Sequence, residues 1–334
     1  MLFQEQIEKL WYSKHPIGYL LIPLSWIYIL VIKTRRLFYQ IGLFNINQLD
    51  VPVIVVGNIS VGGTGKTPLV LWLCQYFRDK GLKPGIISRG YGGIFMNKPQ
   101  QVRPDSSPKL VGDEAVLLAR NTLSPVAVAK KRRLAAEELV KHYRCNIIIC
   151  DDGLQHYAMQ RDIEIAVIDG ARRFGNGHCL PAGPLREPIS RLESVDMIVS
   201  KFNYGRHEYK MDYEYTDLIA LVTPDKTMSV EKLSGQKVHA VAGIGNPESF
   251  FSYLRNHNIQ IIKHVFPDHY AFRKEDILFH DGLPVVMTEK DAVKCFSYAN
   301  QSHWYLPIRA KLPEAFCIRL DNLMKEVVNG QKTA

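Results

Sequence analysis

No two cysteines in this chain are spaced C-x-x-C. The six that occur, at 74, 145, 150, 179, 295 and 317, have no zinc-ligand spacing and no disulfide framework. Cys74, Cys145 and Cys150 lie in apolar runs and read as buried thiols, which suits a reducing compartment. A block of five or six like charges is also missing, although the formal net charge is +9. The excess cations raise three possibilities, nucleic acid, an anionic membrane surface or phosphorylated substrates; among partners, no nucleic acid is expected. The densest cluster, "KKRR" at 130–133, heads a helical pattern and reads as a solvated helix face. Internal repeats and low-complexity segments are absent, which excludes a solenoid or an array. Charge is missing altogether between Lys14 and Lys33, in "HPIGYLLIPLSWIYILVI". That stretch is near the short limit for a membrane span, which needs about 20 apolar residues. Acidic residues precede it and no small-residue cleavage site follows, so it does not read as a signal peptide. Its aromatic residues and the Lys33, Arg35 and Arg36 that follow suit a helix lying in an anionic headgroup region. A core helix is the competing reading.

What is present has an α/β texture. "VPVIVVGNI", "KPGIISRG", "PVAVA", "CNIIICDDG", "IEIAVIDG" and "VDMIVSK" read as strands, separated by segments of helical spacing. Near-continuous Val/Ile runs predict a parallel sheet covered by helices on both faces. Ligands bind such sheets at the carboxyl ends of the strands. We expect an N-terminal helical attachment over 1–46, a nucleotide-binding core over 47–215, and a smaller α/β unit over 216–334. The polar, aromatic stretch 203–216 reads as a linker, and "AFCIRL" (315–320) as a late strand.

"SVGGTGKTP" (60–68) follows the first strand and opens a helix. That is the context of a phosphate-binding loop. Its first consensus position holds Ser60 instead of glycine, but the rest is intact. Gly62, Gly63, Thr64 and Gly65 would turn backbone N–H groups toward phosphate oxygens at a helix N-terminus. Lys66 would reach the β- and γ-phosphates, and Thr67 would hold Mg²⁺. A nucleotide with Mg²⁺ needs a carboxylate at a nearby strand end, and Asp151 and Asp152 supply it. No N-K-x-D guanine signature occurs, which disfavours a GTPase. Partition-type membrane ATPases place a lysine where Val61 stands. A kinase and an ATP-driven membrane switch both remain open on these residues alone.

Further loops follow the strands: "SRGYGG" (88–93), "VGDE" (111–114), "DDGLQH" (151–156), "GNGHCLPAGPLREP" (175–188), "AGIGNPESFF" (242–251), "FPDHYAF" (266–272) and "TEKDAVK" (288–294). In this order after "GNISVGGTGKTP" they closely resemble the tetraacyldisaccharide 4'-kinase family, the lipid A 4'-kinases of Gram-negative bacteria. The resemblance spans about 50–295 and the apolar, basic N-terminus. It implies a P-loop fold with a membrane-interface helix at the cytoplasmic face of the inner membrane. It implies transfer of the γ-phosphate of ATP to the 4'-hydroxyl of an acylated disaccharide 1-phosphate. Carried over by motif, Asp113 of "GDE" and His269 of "DH" form the proton-accepting pair. From residues alone Asp113 could equally cap a helix, and His269 could be a structural loop residue. The match also brings Arg186 to the phosphates and Glu187 to the metal or acceptor side, where a surface ion pair is the alternative. Arg89, Glu114, Asn176 and Lys290 are weaker candidates for substrate contact or support. The resemblance says nothing of the oligomeric state.

Overall fold

The computed structural model describes residues 10–12, 16–94 and 98–330. Residues 1–9 and 13–15 of the expected attachment, with Lys14, and 331–334 at the far end lie outside them. The first eight strands are β1 (Val53–Gly57), β2 (Pro84–Ser88), β3 (Gln100–Val102), β4 (Val126–Val128), β5 (Ile147–Cys150), β6 (Ile163–Asp169), β7 (Met197–Lys201) and β8 (Tyr209–Tyr215). Then come β9 (Leu218–Ala220), β10 (Thr227–Met228), β11 (Lys237–Ala242), β12 (Gln260–Val265), β13 (Val285–Thr288), β14 (His303–Leu306) and β15 (Ile308–Lys311).

Two sheets result, both mixed and mostly parallel. One runs β15-β8-β7-β6-β1-β5-β2-β4-β3, the other β10-β9-β14-β13-β11-β12. The apolar runs explain the centre of the first sheet: every residue of β1, β5 and β6 is buried. Strands buried on both faces need no polar alternation. Helix Lys66–Asp79 covers this sheet with Leu69, Val70, Leu73, Cys74 and Phe77, which repeat at helical spacing. The second sheet has its own core around Val238, Ala240, Phe251, Leu254 and Val286.

Two expectations need correction. The stretch 203–216 is not a linker, because Tyr209–Tyr215 forms β8 and pairs with β7 and β15. The signal was present: Lys210, Asp212 and Glu214 are exposed while the residues between them turn inward, a period of two. "AFCIRL" is not a strand either. It lies in helix Glu314–Val328, which buries Phe316, Leu320 and Leu323 at spacings of four and three. A short apolar run cannot distinguish strand from helix until its continuation is read. Phe316 meets Trp72 edge-on at 5.5 Å. The chain therefore leaves the first sheet after β8 and returns to it with β15 and this last helix.

Helix Ile22–Gln40 docks with one face. Ser25, 2% exposed, donates from Oγ to the Cys179 carbonyl at 2.8 Å and accepts from the Ala182 N–H at 3.1 Å. The Tyr28 hydroxyl donates to the Arg186 carbonyl at 2.9 Å, and Arg36 Nη2 to Ser194 Oγ at 2.9 Å. The other face exposes Leu24, Trp26, Ile27, Leu30, Val31 and Leu37. Among the described residues no helix is long and apolar enough to cross a membrane.

Candidate active site

The loop after β1 is shaped by glycine at the positions that demand it. Gly65 has φ +94°, and a Cβ there would lie 2.1 Å from the Tyr213 hydroxyl. Ser60 does not disturb the loop: it bridges to Leu185, and the neighbouring Val61 N–H donates to the Pro184 carbonyl at 2.8 Å. Asn58 braces the turn, donating from Nδ2 to the Ser60 carbonyl at 2.7 Å. Lys66 begins the helix and donates from Nζ to Asn58 Oδ1 at 3.3 Å.

Asp151 and Asp152 follow β5, the neighbour of β1. Asp152 gathers cations: Lys66 Nζ at 3.2 Å and Arg186 Nη1 at 3.1 Å. Burial opposes its ionisation, but Lys66, Arg186 and Arg132 outweigh it and hold the carboxyl well below the usual range. Asp151 is the opposite case. It is 1% exposed, and neither carboxylate oxygen has a hydrogen-bond partner. Burial, reinforced by Glu114, pushes its carboxyl up to about 7, against the pull of Lys66. A buried carboxylate without a partner is costly, and a hard divalent cation is the group that best satisfies it. No cluster of three or more His, Cys, Asp or Glu could hold a metal among the described residues. Such an ion would therefore take most of its ligands from phosphate and water.

A second group faces this loop. Asp113 is the first residue of helix Asp113–Asn121; Gly112 takes the cap position, so Asp113 is not the cap. Gly112 has φ +90°, and a Cβ there would meet the Tyr91 carbonyl at 2.6 Å. The Asp113 carboxylate, 8% exposed, accepts from the Glu114 N–H at 2.9 Å and lies 3.0 Å from His269 Nδ1. His269 arrives from the loop after β12, on the other sheet. Its φ of +60° is uncommon for a non-glycine residue. Its N–H donates to Asp268 Oδ1 at 3.1 Å.

The charges around the pair are ordered. Lys290 Nζ meets Glu114 at 3.1 Å, Asp268 at 3.0 Å and His269 Nε2 at 3.3 Å. Burial works against Asp113, yet His269, Lys290 and Lys294 lower its carboxyl to about 2. The hydrogen bond to Asp113 in turn raises the His269 imidazole. A neutral His269 that accepts from Lys290 at Nε2 carries its proton on Nδ1, directed at Asp113.

One cleft between the sheets is lined by Gly63–Pro68, Glu114, Lys201 and Tyr213 on one side and Gly245, Asp268 and Lys290 on the other, and Asp113 and His269 line a second cavity with Tyr91, Tyr270 and Lys294. Thus Lys66, Asp152 and Arg186 come together, with Asp151 next to Asp152 and Thr67 in the lining of the first cleft, while Asp113, His269, Lys290 and Glu114 form the other group, of which Glu114 and Lys290 reach that cleft. Other candidates sit differently. The Asn176 side chain is used by its own loop, donating to the Ala182 carbonyl at 2.8 Å and accepting from the His178 N–H at 3.1 Å. The Glu187 carboxylate accepts from the Tyr157 hydroxyl and from Gln155 Nε2, the latter at 2.9 Å. Arg89 lies exposed beyond the end of β2.

Sequence reasoning missed Asn58, Lys201 and Tyr213. Lys201 ends β7 and pairs with Asp169 at 2.9 Å; a lysine closing a buried strand was the available signal. Arg132 was also misread. In place of a solvated helix face, it is 4% exposed and donates to the Asp152 carbonyl at 2.7 Å.

Known proteins match this arrangement along nearly the whole chain. A family profile, tetraacyldisaccharide-1-P 4'-kinase (LpxK), matches residues 17–325. The tetraacyldisaccharide 4'-kinase of Nitrosococcus oceani is 51% identical over 325 residues, covering 97% of this chain and 96% of that one. Its counterpart in Legionella pneumophila is 45% identical over 310 residues, covering 93% and 94%. The structure of LpxK from Aquifex aeolicus in complex with ATP aligns with a TM-score of 0.78 at 28% identity, over 93% of this chain and 99% of that chain. The chain belongs to the tetraacyldisaccharide 4'-kinase family.

Proposed function

We propose that this kinase moves the γ-phosphate of ATP onto the 4'-hydroxyl of a tetraacyldisaccharide 1-phosphate, a step of lipid A assembly, with Asp113 and His269 as the proton-accepting pair. The observation that carries this division of labour is the 3.0 Å contact between His269 Nδ1 and Asp113, made across the cleft from two different sheets. Asp113 accepts the hydroxyl proton as the oxygen attacks phosphorus. His269 orients the carboxylate and shares the proton. The new O–P bond forms as the bond to the β,γ-bridging oxygen breaks, and ADP leaves.

The loop 62–67 cradles the phosphates with its N–H groups. Lys66 and Arg186, both fixed on Asp152, turn to the phosphoryl oxygens, where the guanidinium fork matches their geometry. Mg²⁺ would be held by Thr67 and by Asp151 and Asp152, and supplies charge neutralisation on the phosphates. Glu187 could join it only by giving up Tyr157 and Gln155. Glu114 and Lys290 keep the His269 loop against the first sheet, and the two sheets closing on nucleotide completes the site.

The exposed apolar face of helix 22–40 supports peripheral binding at the inner membrane's cytoplasmic face, where ATP and an acylated sugar meet. Because Tyr28 is bonded to the Arg186 carbonyl, this helix also fixes the site relative to the bilayer.

The test is transfer of label from [γ-³²P]ATP to the acylated disaccharide 1-phosphate in detergent with Mg²⁺. Transfer to the lipid is expected; ATP binding without transfer overturns the proposal. Trp26→Glu and Leu30→Glu should abolish sedimentation with anionic vesicles, and unchanged sedimentation removes the interfacial reading.

A further inference from the structure

The second sheet lays one of its loops over the phosphate loop. Residues 243–247 leave β11 and lead into helix Glu248–Asn256. Ile244, Gly245 and Asn246 line the same cleft as Gly63–Pro68. A Cβ built on Gly245 would lie 3.5 Å from the backbone nitrogen of Gly63. The two backbones thus approach to within one side-chain atom of each other, which glycine permits.

This loop is held at two points. Within its own sheet, Asp291 Oδ2 accepts from the Gly243 N–H at 2.7 Å and from Thr288 Oγ1 at 2.6 Å. Asp291 is fully buried, and Lys294 Nζ meets its other oxygen at 2.8 Å. That point ties the loop to its own sheet only. The second point crosses the cleft: Arg172 Nη2 donates to the Gly245 carbonyl. Arg172 comes from the loop after β6. Its own N–H and that of Ala171 donate to Asp169 Oδ1 at 3.3 and 3.0 Å, and Asp169 pairs with Lys201 in the cleft wall. The guanidinium also lies 5.4 Å from the ring centre of Tyr12, so the N-terminal segment backs it from behind.

The strand order gives this contact its consequence. β1 has β6 on one flank and β5 on the other. The His269–Asp113 and Lys290–Glu114 contacts tie the second sheet to helix Asp113–Asn121, which leads into β4 on the β5 flank. Tied on that flank alone, loop 243–247 would be free to swing away from Gly63. Arg172 ties it on the β6 flank, through a charge-assisted hydrogen bond, which is stronger than a neutral one.

We infer that Arg172 is a positioning residue for nucleotide binding: by holding the Gly245 carbonyl it keeps loop 243–247 over the phosphate loop and so sets the affinity for ATP. It acts through the loop and not on the reacting atoms. This rests on the nucleotide site proposed above.

The experiment titrates ATP into the full-length enzyme in neutral detergent by calorimetry, and measures initial rates on the acylated disaccharide 1-phosphate against ATP. Arg172→Gln should weaken ATP binding and raise the KM for ATP by about 10–100-fold, the range of a lost hydrogen bond to a charged group, with kcat at saturating ATP within about threefold. Arg172→Lys keeps a cationic donor and should fall between that variant and the wild type. Gly245→Val puts bulk between the two loops with Arg172 intact and should raise the KM in the same way. The melting temperature of Arg172→Gln without nucleotide should match the wild type. Unchanged ATP affinity in Arg172→Gln, or a fall in kcat and melting temperature with the KM for ATP unmoved, overturns the assignment and leaves the reaction standing. Should Arg172→Gln fail to fold, Arg172→Lys and Gly245→Val carry the test. A wild type that binds no ATP overturns the proposed reaction as well.

Discussion

The two halves of the cleft are built in opposite ways. On the phosphate-loop side, Asn58 to Thr67 form one strand–turn–helix, and Asp152 is one strand away. On the other side, Asp113 and His269 are separated by 156 positions and come from different sheets. A contiguous segment needs only its own backbone to be correct. The pair needs two sheets, a left-handed His269 backbone and the Glu114–Lys290–Asp268 bridge to be correct together. The first half should therefore fail by losing nucleotide engagement, and the second by losing turnover with nucleotide still bound.

The largest expected effect is on the assembled side. Asp113→Asn should lower kcat by about 10²–10⁴-fold, the range of a lost general base, with ATP affinity by nucleotide titration within about twofold. Lys66→Ala should break the comparison from the other direction. It should cost about 10²–10³-fold in kcat/KM, as for loss of one preorganised charge stabiliser, and weaken ATP binding as well. An intermediate effect is expected with pH. Asp113 raises the His269 imidazole above its ordinary 6.5 by stabilising the protonated ring. If turnover requires the pair to accept a proton, kcat/KM rises with pH through that raised value. The residual activity of Asp113→Asn should show this limb at lower pH, and an unmoved limb assigns it elsewhere. The smallest effect is expected at Tyr28→Phe. It removes one hydrogen bond to the Arg186 carbonyl, worth about 0.5–1.5 kcal/mol. The rate on micellar acceptor should fall by less than about tenfold, with thermal stability nearly unchanged.

The same contrast explains what was legible in the sequence. The loop, the strands of the first sheet's centre and the paired aspartates have local signatures: apolar runs, glycines and a G-K-T at a helix start. Asp113 and His269 were visible only through resemblance, because nothing local in "VGDE" or "FPDH" says that they meet. β8 was passed over because its exposed Lys210, Asp212 and Glu214 made it look like a linker, although their alternation encodes a half-buried strand. The helix 314–328 was misjudged from six residues whose continuation settles the period. Arg132 was lost in a run of four cations, since burial of one member cannot be read from charge spacing. Lys201 and Tyr213 close the cleft from strands β7 and β8, and their approach to the loop depends on the order of the strands.

The most direct measurement is a double-mutant cycle on Asp113→Asn and His269→Ala, read as kcat for label transfer to the lipid with ATP saturating. If the two residues act as one unit across the cleft, the double variant should be no slower than Asp113→Asn alone. If the two losses multiply, they act independently and the pair is not the catalytic unit.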